Sequence, residues 1–566
     1  MRGIDWQRPM SIVVGCVLVA STLAASSAPP AARPIWPDIP AADSRCGPPQ
    51  RDRLPEAGKP ITVRLQPAQP FVVGRIPAST WRNTPVVDLG WKLRFLGLAW
   101  MRPVAVRAYN EGRSDVLAAL IAQVVAFHRE NPDPHNVKHG WDEGTAMRRL
   151  ETANCLYALT RAPALIPGMV ADASVQLDQR YYGPPYHPVH NHGLMACIQL
   201  VRAADLLHRP YWKKVALLRM SREAPKAFSP MGTSMEQASG YQQFNASQWD
   251  KAADLLAGSP GSADVVAKIR ETVDKAYRML AWMTQPDGTI AQFGDSDELK
   301  GRRLDDLRVD PAAKRHLGEA RSVRDDKAGL IAGRWSWTDP QTAHYTVRYG
   351  PARRAHGHRD QAGAVTFATQ GVRVLVGPGR YSYNRDDPFW IYQMTPQATN
   401  VAVPSPGFVT QAPAKVAVST FAPLRHEITV QDKIYQDPHT RTIAVDRAAM
   451  TVSDLFHNAT EWRQSWHLDP KWILVSHSPT RLTFRHPAGR ILTVTTTGRF
   501  EALQHGALRN AAAGWHFPKE GVKQPAYQIT VRNDGPECST RFEVTAASGP
   551  RSHYSAEGMS LVRLPA

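Results

Sequence analysis

Cysteine is scarce: the chain has five in 566 residues. Cys16 lies in the N-terminal apolar run, which leaves Cys46, Cys155, Cys197 and Cys538 for everything after it. Four thiols over that length exclude a scaffold built on disulfides. Cys155 and Cys197 fall in apolar helical runs and read as buried thiols, while an oxidising compartment would also permit a bridge between them. Long hydrophobic runs are lacking as well, and beyond Ala28 no stretch is apolar enough to span a membrane. There is no basic helix, no zinc-finger spacing and no RNA-binding signature, so nucleic acid is not expected as a partner. No segment repeats at a fixed period.

What is abundant is positive charge, a formal net +18 with a pI near 9.8. The basic residues are scattered along the chain. Such a field attracts polyanions and speaks of partners and encounter rates, not of fold. With nucleic acid set aside, anionic lipid and acidic polysaccharide remain. Sixteen Trp and sixteen Tyr supply flat apolar faces, which serve as core or stack on sugar rings. The balance of 43% hydrophobic and 21% charged residues is that of a globular protein, and the length predicts two large domains.

The first residues, MRGIDWQRPMSIVVGCVLVASTLAASSAPP, combine Arg2 and Arg8, an apolar run from Ile12 to Leu23 and small residues up to Ala28. This predicts a secretory signal over residues 1–28, an exported chain in periplasm or medium, and no stable membrane insertion once it is removed. Residues 29–84 read as a Pro- and Ala-rich linker and N-terminal arm. From 85 to 328 the period is helical. In SDVLAALIAQVVAFHRE, Leu117, Leu120, Ile121 and Val124 recur at helix spacing behind Ser114 as N-cap. Near residue 335 the period changes to two, as in HYTVRYG and GVRVLVGPG, and residues 329–566 read as antiparallel strands. Helices first and strands later predict an α+β chain of two domains.

Four stretches carry chemistry: GWDEGTAMRRLE (Gly140 to Glu151), HNHG (His190 to Gly193), MGTSMEQASGYQQFN (Met231 to Asn245) and AHGHRDQAGAVTFATQGVRVLVGPGRYSY (Ala355 to Tyr383). In this order they resemble the heparinase II/III-like superfamily of polysaccharide lyases, over most of residues 85–405. The resemblance implies an incomplete (α/α) toroid followed by an antiparallel β-sandwich. It also implies β-elimination on a uronic-acid polysaccharide: loss of the C5 proton beside the carboxylate and expulsion of the C4 oxygen. That chemistry needs the carboxylate charge masked, a base near C5 and a proton donor for the leaving oxygen.

Asn191 fits the masking role by resemblance, because its amide donates to a carboxylate; Asn is equally a favoured helix N-cap. His192 beside it can donate from one ring nitrogen and accept at the other, or serve as a structural histidine. Tyr241 matches the family's base and acid, although a free phenol titrates near 10 and needs help to act as a base. His356 is implied to face the substrate, and His358 to be a ligand of a structural metal in members that hold one. Here Gly377 and Thr399 stand where the family's other ligands are expected, so no metal is predicted. Trp141, Arg148, Glu236 and Tyr392 are implied to line or support the substrate cleft together with His358, and Arg149 is a second candidate to pair with a uronate. Asp295 and Asp297 either bind sugar hydroxyls or cap a following helix, the cap being preferred. The expected partner is an anionic polysaccharide. A glycoside hydrolase on a similar toroid would need two carboxylates across one bond. A non-catalytic acidic-glycan binder of exopolysaccharide assembly or export is the third reading.

Overall fold

The computed structural model describes residues 46–547, apart from 55, 57–60, 64, 66–70, 74–77, 85, 87, 133–139, 179–190, 352–355, 406–408 and 509–510. The expected signal at 1–28 lies outside the described residues. Within 29–84, the stretch expected to be a linker, the chain forms an antiparallel pair of short strands, β1 (Ile61–Val63) and β2 (Phe71–Val73), and a first helix, α1 (Ala78–Arg82).

Helices then follow one another: α2 (Leu89–Leu96), α3 (Met101–Asn110), α4 (Ser114–Glu130), α5 (Glu143–Thr160), α6 (Ile166–Leu177) and α7 (Asn191–Leu207). The series continues with α8 (Pro210–Ala227), α9 (Ser239–Leu256), α10 (Ala263–Met283) and α11 (Pro311–Glu319). Neighbours in sequence pack as pairs, α3 on α4, α5 on α6, α7 on α8 and α9 on α10, with α5 also lying on α7. This is the incomplete (α/α) toroid. Helix α4 buries Val116, Leu117, Leu120, Val124 and Phe127, the three-and-four spacing of one apolar stripe. Helices α5 and α7 bury residues around most of their circumference, as inner helices must. None of the described helices is long and apolar enough to cross a membrane.

Two local expectations are corrected. Ser114 is the first helical residue rather than the N-cap; the residue before it, Arg113, makes no cap, and its guanidinium pairs with Asp115 instead. Cys155 bonds to Cys46, not to Cys197, which remains a buried thiol like Cys538. The segment after Cys46 lies along α3, where Gln50 N donates to Pro103 O and Arg107 donates to Arg51 O, and this brings Cys46 to α5.

After the helices, strands resume at Ser322, ahead of the visible change of period. A five-stranded antiparallel meander contains β3 (Ser322–Asp325), β4 (Leu330–Arg334), β5 (His344–Arg348), β6 (Ala364–Thr369) and β7 (Val372–Leu375). Every residue of β4 is buried. Leu330 and Ala332 join the helical core while Ile331 joins the strand core, so this strand is apolar on both faces and shows no alternation. Beyond a short helix, α12 (Pro388–Gln393), come β8 (Ala402–Pro404), β9 (Lys415–Phe421), β10 (His426–Asp432), β11 (His439–Val445), β12 (Ala449–Phe456) and β13 (Trp462–His467). Then follow β14 (Ile473–His477), β15 (Arg481–His486), β16 (Arg490–Thr496), β17 (Arg499–His505), β18 (Trp515–Lys519), β19 (Val522–Pro525), β20 (Tyr527–Asn533) and β21 (Glu537–Ala546). An eight-stranded sheet in the order β14-β15-β16-β21-β12-β11-β10-β9 stands with a four-stranded sheet, β17-β20-β13-β8. Side chains of both, among them Trp462, Trp466, Phe542 and Ile443, fill one core. Pro487 to Gly489 form the turn that joins β15 to β16.

Candidate active site

The segment after α10 and the segment before β6 come together where the helices meet the strands. Asp295 N donates to His356 O at 2.8 Å, and His356 N donates to Glu236 O at 3.2 Å. Gly294 makes this crossing possible. It has a φ of +62°, and a Cβ there would come 2.7 Å from Ala238 Cβ, Gln237 O and His356 O. Beside it opens a cavity of about 700 Å³. Helices α2, α5, α7 and α9 form one wall, and the segment from Arg380 to Met394 forms another.

Asn191, His192, Tyr241 and His356 all line this cavity. Asn191 opens α7, and its Nδ2 donates to Glu236 Oε2 at 2.9 Å; its second N–H has no partner among the described residues. His192 Nδ1 lies 2.8 Å from Glu143 Oε1, on the helix that Asp142 caps through Thr145 N. Gly144 leaves room for that ring: a Cβ there would sit 3.0 Å from His192 Cε1. The Tyr241 and His356 rings stack at 3.6 Å, 7° from parallel. His356 Nδ1 is 3.0 Å from Asp295 Oδ2, and His358 Nε2 is 2.9 Å from Asp295 Oδ1. One carboxylate therefore holds both histidines of the HGH stretch. Burial disfavours charge on Asp295, but the bonds from His356 and His358 outweigh it and hold the carboxyl well below its usual range.

Tyr383, unassigned by the sequence, is at the centre of the site. Its hydroxyl is 3.1 Å from Tyr241 Oη and 3.5 Å from His356 Nδ1, and it accepts from Arg380 Nη1 at 3.3 Å. Asp88, the cap of α2, fixes the backbone by accepting from Tyr383 N at 3.3 Å. Burial raises the Tyr241 hydroxyl well above the ordinary phenol value, with the Arg380 charge and the Tyr383 bond working the other way. Burial likewise raises Tyr383. Both are neutral phenols near neutral pH. Tyr383 and Arg380 lie in PGRYSY, at the end of the stretch Ala355 to Tyr383, but nothing local separates a cleft tyrosine from a packed one.

The cleft-lining expectations divide. Arg148 lines the cavity, and its guanidinium has no hydrogen bond or ion pair among the described residues. Arg149 is excluded from that task because it is buried against Asp172, at 2.6 Å. Trp141 does not line the cavity. Its indole is buried over Arg149 and its Nε1 donates to Asn131 O at 3.1 Å. Tyr392 is also outside: it faces the strand core, 2.9 Å from His467 Nε2 and donating to Gln528 Oε1 at 3.0 Å. Glu236 and His358 are fully buried behind the wall and do not line the cavity. Glu236 accepts from Asn191 and Asn245 and stands 3.5 Å from His356 Nε2; burial raises its carboxyl above the ordinary value. Asp295 and Asp297 cap no helix. They hold His356 with His358, and Arg380, respectively.

His358, Gly377 and Thr399 do converge, on a small space of about 20 Å³. They do not fit a metal. Gly377 offers no side chain, and a Cβ there would come 2.3 Å from Gln292 O, so backbone fills the place of a further ligand. The Thr399 hydroxyl donates to Pro396 O at 2.8 Å, and Arg348 brings its guanidinium to 3.6 Å from Asp360 Oδ1. A lone imidazole beside an arginine–aspartate pair is not a zinc donor set. Among the described residues, no group of three or more His, Cys, Asp or Glu side chains could hold a metal ion.

The whole architecture matches solved structures. Heparinase III aligns with a TM-score of 0.68 over 83% of this chain and 79% of its own, at 13% identity. The fold is that of the heparinase-type polysaccharide lyases. A heparan sulfate lyase HepC mutant from Pedobacter heparinus aligns with a TM-score of 0.64 at 15% identity, over 91% of this chain and 87% of its own. Chondroitinase AC lyase, solved with oligosaccharides, aligns at 0.54 and 11% identity, over 84% and 79%. No family model matches the sequence, and no curated protein does. In this lyase-type fold the cavity lies where the toroid meets the strands.

Proposed function

We propose that the protein is an exported polysaccharide lyase that cleaves a uronic-acid-containing anionic polysaccharide by β-elimination, without a metal. One observation carries the reading: Asn191, His192, Tyr241 and His356 line one cavity with an uncommitted guanidinium, Arg148. The uronate carboxylate docks on the second N–H of Asn191 and on Arg148, which withdraws charge from it and makes the C5 proton more acidic. Desolvation pulls Arg148 below the ordinary arginine value, a strain that an incoming anion relieves.

Glu143 fixes Nδ1 of His192 as the protonated nitrogen, so Nε2 takes the C5 proton. The electrons form the C4–C5 double bond and expel the C4 oxygen. Tyr241, a neutral phenol held by Tyr383, protonates that oxygen. His356 stacks on Tyr241 and is locked by Asp295, which keeps the phenol aimed into the cavity. Elimination is favoured over hydrolysis because each carboxylate lining the cavity already has a partner: Asp142 caps α5, Glu143 holds His192, Asp295 holds two histidines and Asp297 holds Arg380. No pair remains for a glycosidase. Export is supported by the Cys46–Cys155 bridge, which suits an oxidising compartment.

The test is ultraviolet absorbance over time with a panel of uronate polysaccharides. The unsaturated uronate absorbs, and hydrolysis gives no such signal. A rise that Tyr241→Phe abolishes is expected; shortening of the polymer without absorbance would overturn elimination.

A further inference from the structure

Helix α12 has two faces with different duties. Phe389, Tyr392 and Gln393 are buried. Phe389 meets Tyr381 at 4.9 Å and Trp515 at 5.4 Å, and Gln393 Oε1 accepts from Tyr381 N at 2.7 Å. These contacts fix the helix against the β18–β19 hairpin. The other face carries Trp390 and, four residues on, Met394, which one helical turn stacks together. Both line the large cavity and both are only partly buried, although the buried side of α12 shows that apolar groups here can be packed away. Arg385, before the helix, also lines the cavity; it is exposed and has no hydrogen bond or ion pair among the described residues.

The charges of the cavity wall point the same way. Each carboxylate on that wall is engaged, Arg380 is held by Asp297, and Arg94 is held by Glu520 at 3.1 Å. Two guanidiniums have no hydrogen bond or ion pair among the described residues, Arg148 on the helical wall and Arg385 on the strand wall. One uronate accounts for one of them. A partly exposed indole beside the second is what a sugar ring with an anionic substituent requires: an apolar face for the ring and a donor fork for the oxyanion.

We propose that Trp390 and Arg385 form a second sugar subsite, for the residue next to the one cleaved, and that the substrate carries a negative group on successive sugars. This rests on the lyase reading above. The oxyanion is either the carboxylate of a second uronate or a sulfate ester on a hexosamine.

The experiment uses the full mature chain and three polymers: a polyuronate, a sulfated uronate–hexosamine chain and its unsulfated counterpart. KM and kcat come from absorbance, and affinity from calorimetric titration. Arg385→Gln should raise KM and weaken binding roughly tenfold or more on the polymer whose second sugar bears the anion, with kcat kept. On the unsulfated chain it should change little. Trp390→Ala should weaken binding on all three. Loss confined to the sulfated chain identifies sulfate; loss confined to the polyuronate identifies carboxylate. Unchanged KM and affinity in both variants on every polymer bound would overturn the subsite. Absence of absorbance with all three, while Arg385→Gln still weakens binding, would overturn elimination and leave the subsite standing.

Discussion

In the sandwich core, one histidine lies between two carboxylates. His439 Nδ1 is 2.8 Å from Asp432 Oδ2 and its Nε2 is 2.9 Å from Asp454 Oδ1; Arg441 and Gln464 close the far side of Asp454. At the cleft the arrangement is inverted, and one carboxylate, Asp295, lies between two histidines. Burial opposes the charge on His439, but its two carboxylates win and push it up to about 9. Burial opposes the charge on Asp295 too, and its histidines win. The groups are alike and the consequence differs, because of what lies at the edge. His439, Arg441 and Asp454 are sealed from solvent on every side. His356 has one face against Tyr241 and an edge on the cavity. A closed network of this kind specifies packing; an open one leaves a proton-bearing ring where a ligand can meet it.

The same substitution in each cluster should therefore break different things. Asp295→Asn replaces an acceptor for two rings with an amide that accepts at only one atom. Steady-state absorbance assays should then show a rate loss of about 10²–10⁴-fold, far beyond any fall in the folded fraction. Asp454→Asn leaves His439 and Arg441 with an uncompensated buried charge. Denaturant unfolding should register a loss of about 3–5 kcal/mol, with near-normal turnover in whatever remains folded. Were Asp454→Asn to abolish turnover at full stability, the division into a buried structural cluster and a cluster serving the proposed elimination would fail.

What the sequence disclosed follows the same division. Asn191, His192, Tyr241 and His356 were legible because each sits inside a short motif. Their partners were not: Glu143 lies 49 positions from His192 and Asp295 lies 61 from His356, and no local pattern encodes such pairings. Cys46 and Cys155, 109 apart, are hidden for the same reason. Tyr392 drew attention through its spacing, yet α12 turns it inward and presents Trp390 to the cavity, since helix phase decides the face. The order of helices and then strands was visible as a change of period, except at β4, where burial on both faces erased the alternation.

The closed cluster also makes a statement about pH. His439 is raised in the folded state from an ordinary value of 6.5 to about 9. Its contribution is complete below pH 6.5 and fades as pH rises toward 9, because the unfolded chain releases that proton first. Thermal unfolding followed from pH 6 to 9 should lose stability on the order of 3 kcal/mol from this group. In His439→Gln, a neutral side chain, that alkaline slope should flatten.

The smallest change expected is in Asp432→Asn. The amide oxygen can still accept from His439 Nδ1, at the expense of the bond that the other carboxylate oxygen takes from Ile434 N, and Asp454 still holds Nε2, so most of the geometry survives and one of two balancing charges is lost. Stability should fall by about 1 kcal/mol, and the alkaline slope should end at lower pH, because His439 keeps its proton less tightly with one carboxylate than with two. Turnover should not move, since nothing in this cluster reaches the cavity. A shift of the activity profile in Asp432→Asn, at unchanged stability, would mean that the two clusters are coupled through the sandwich core.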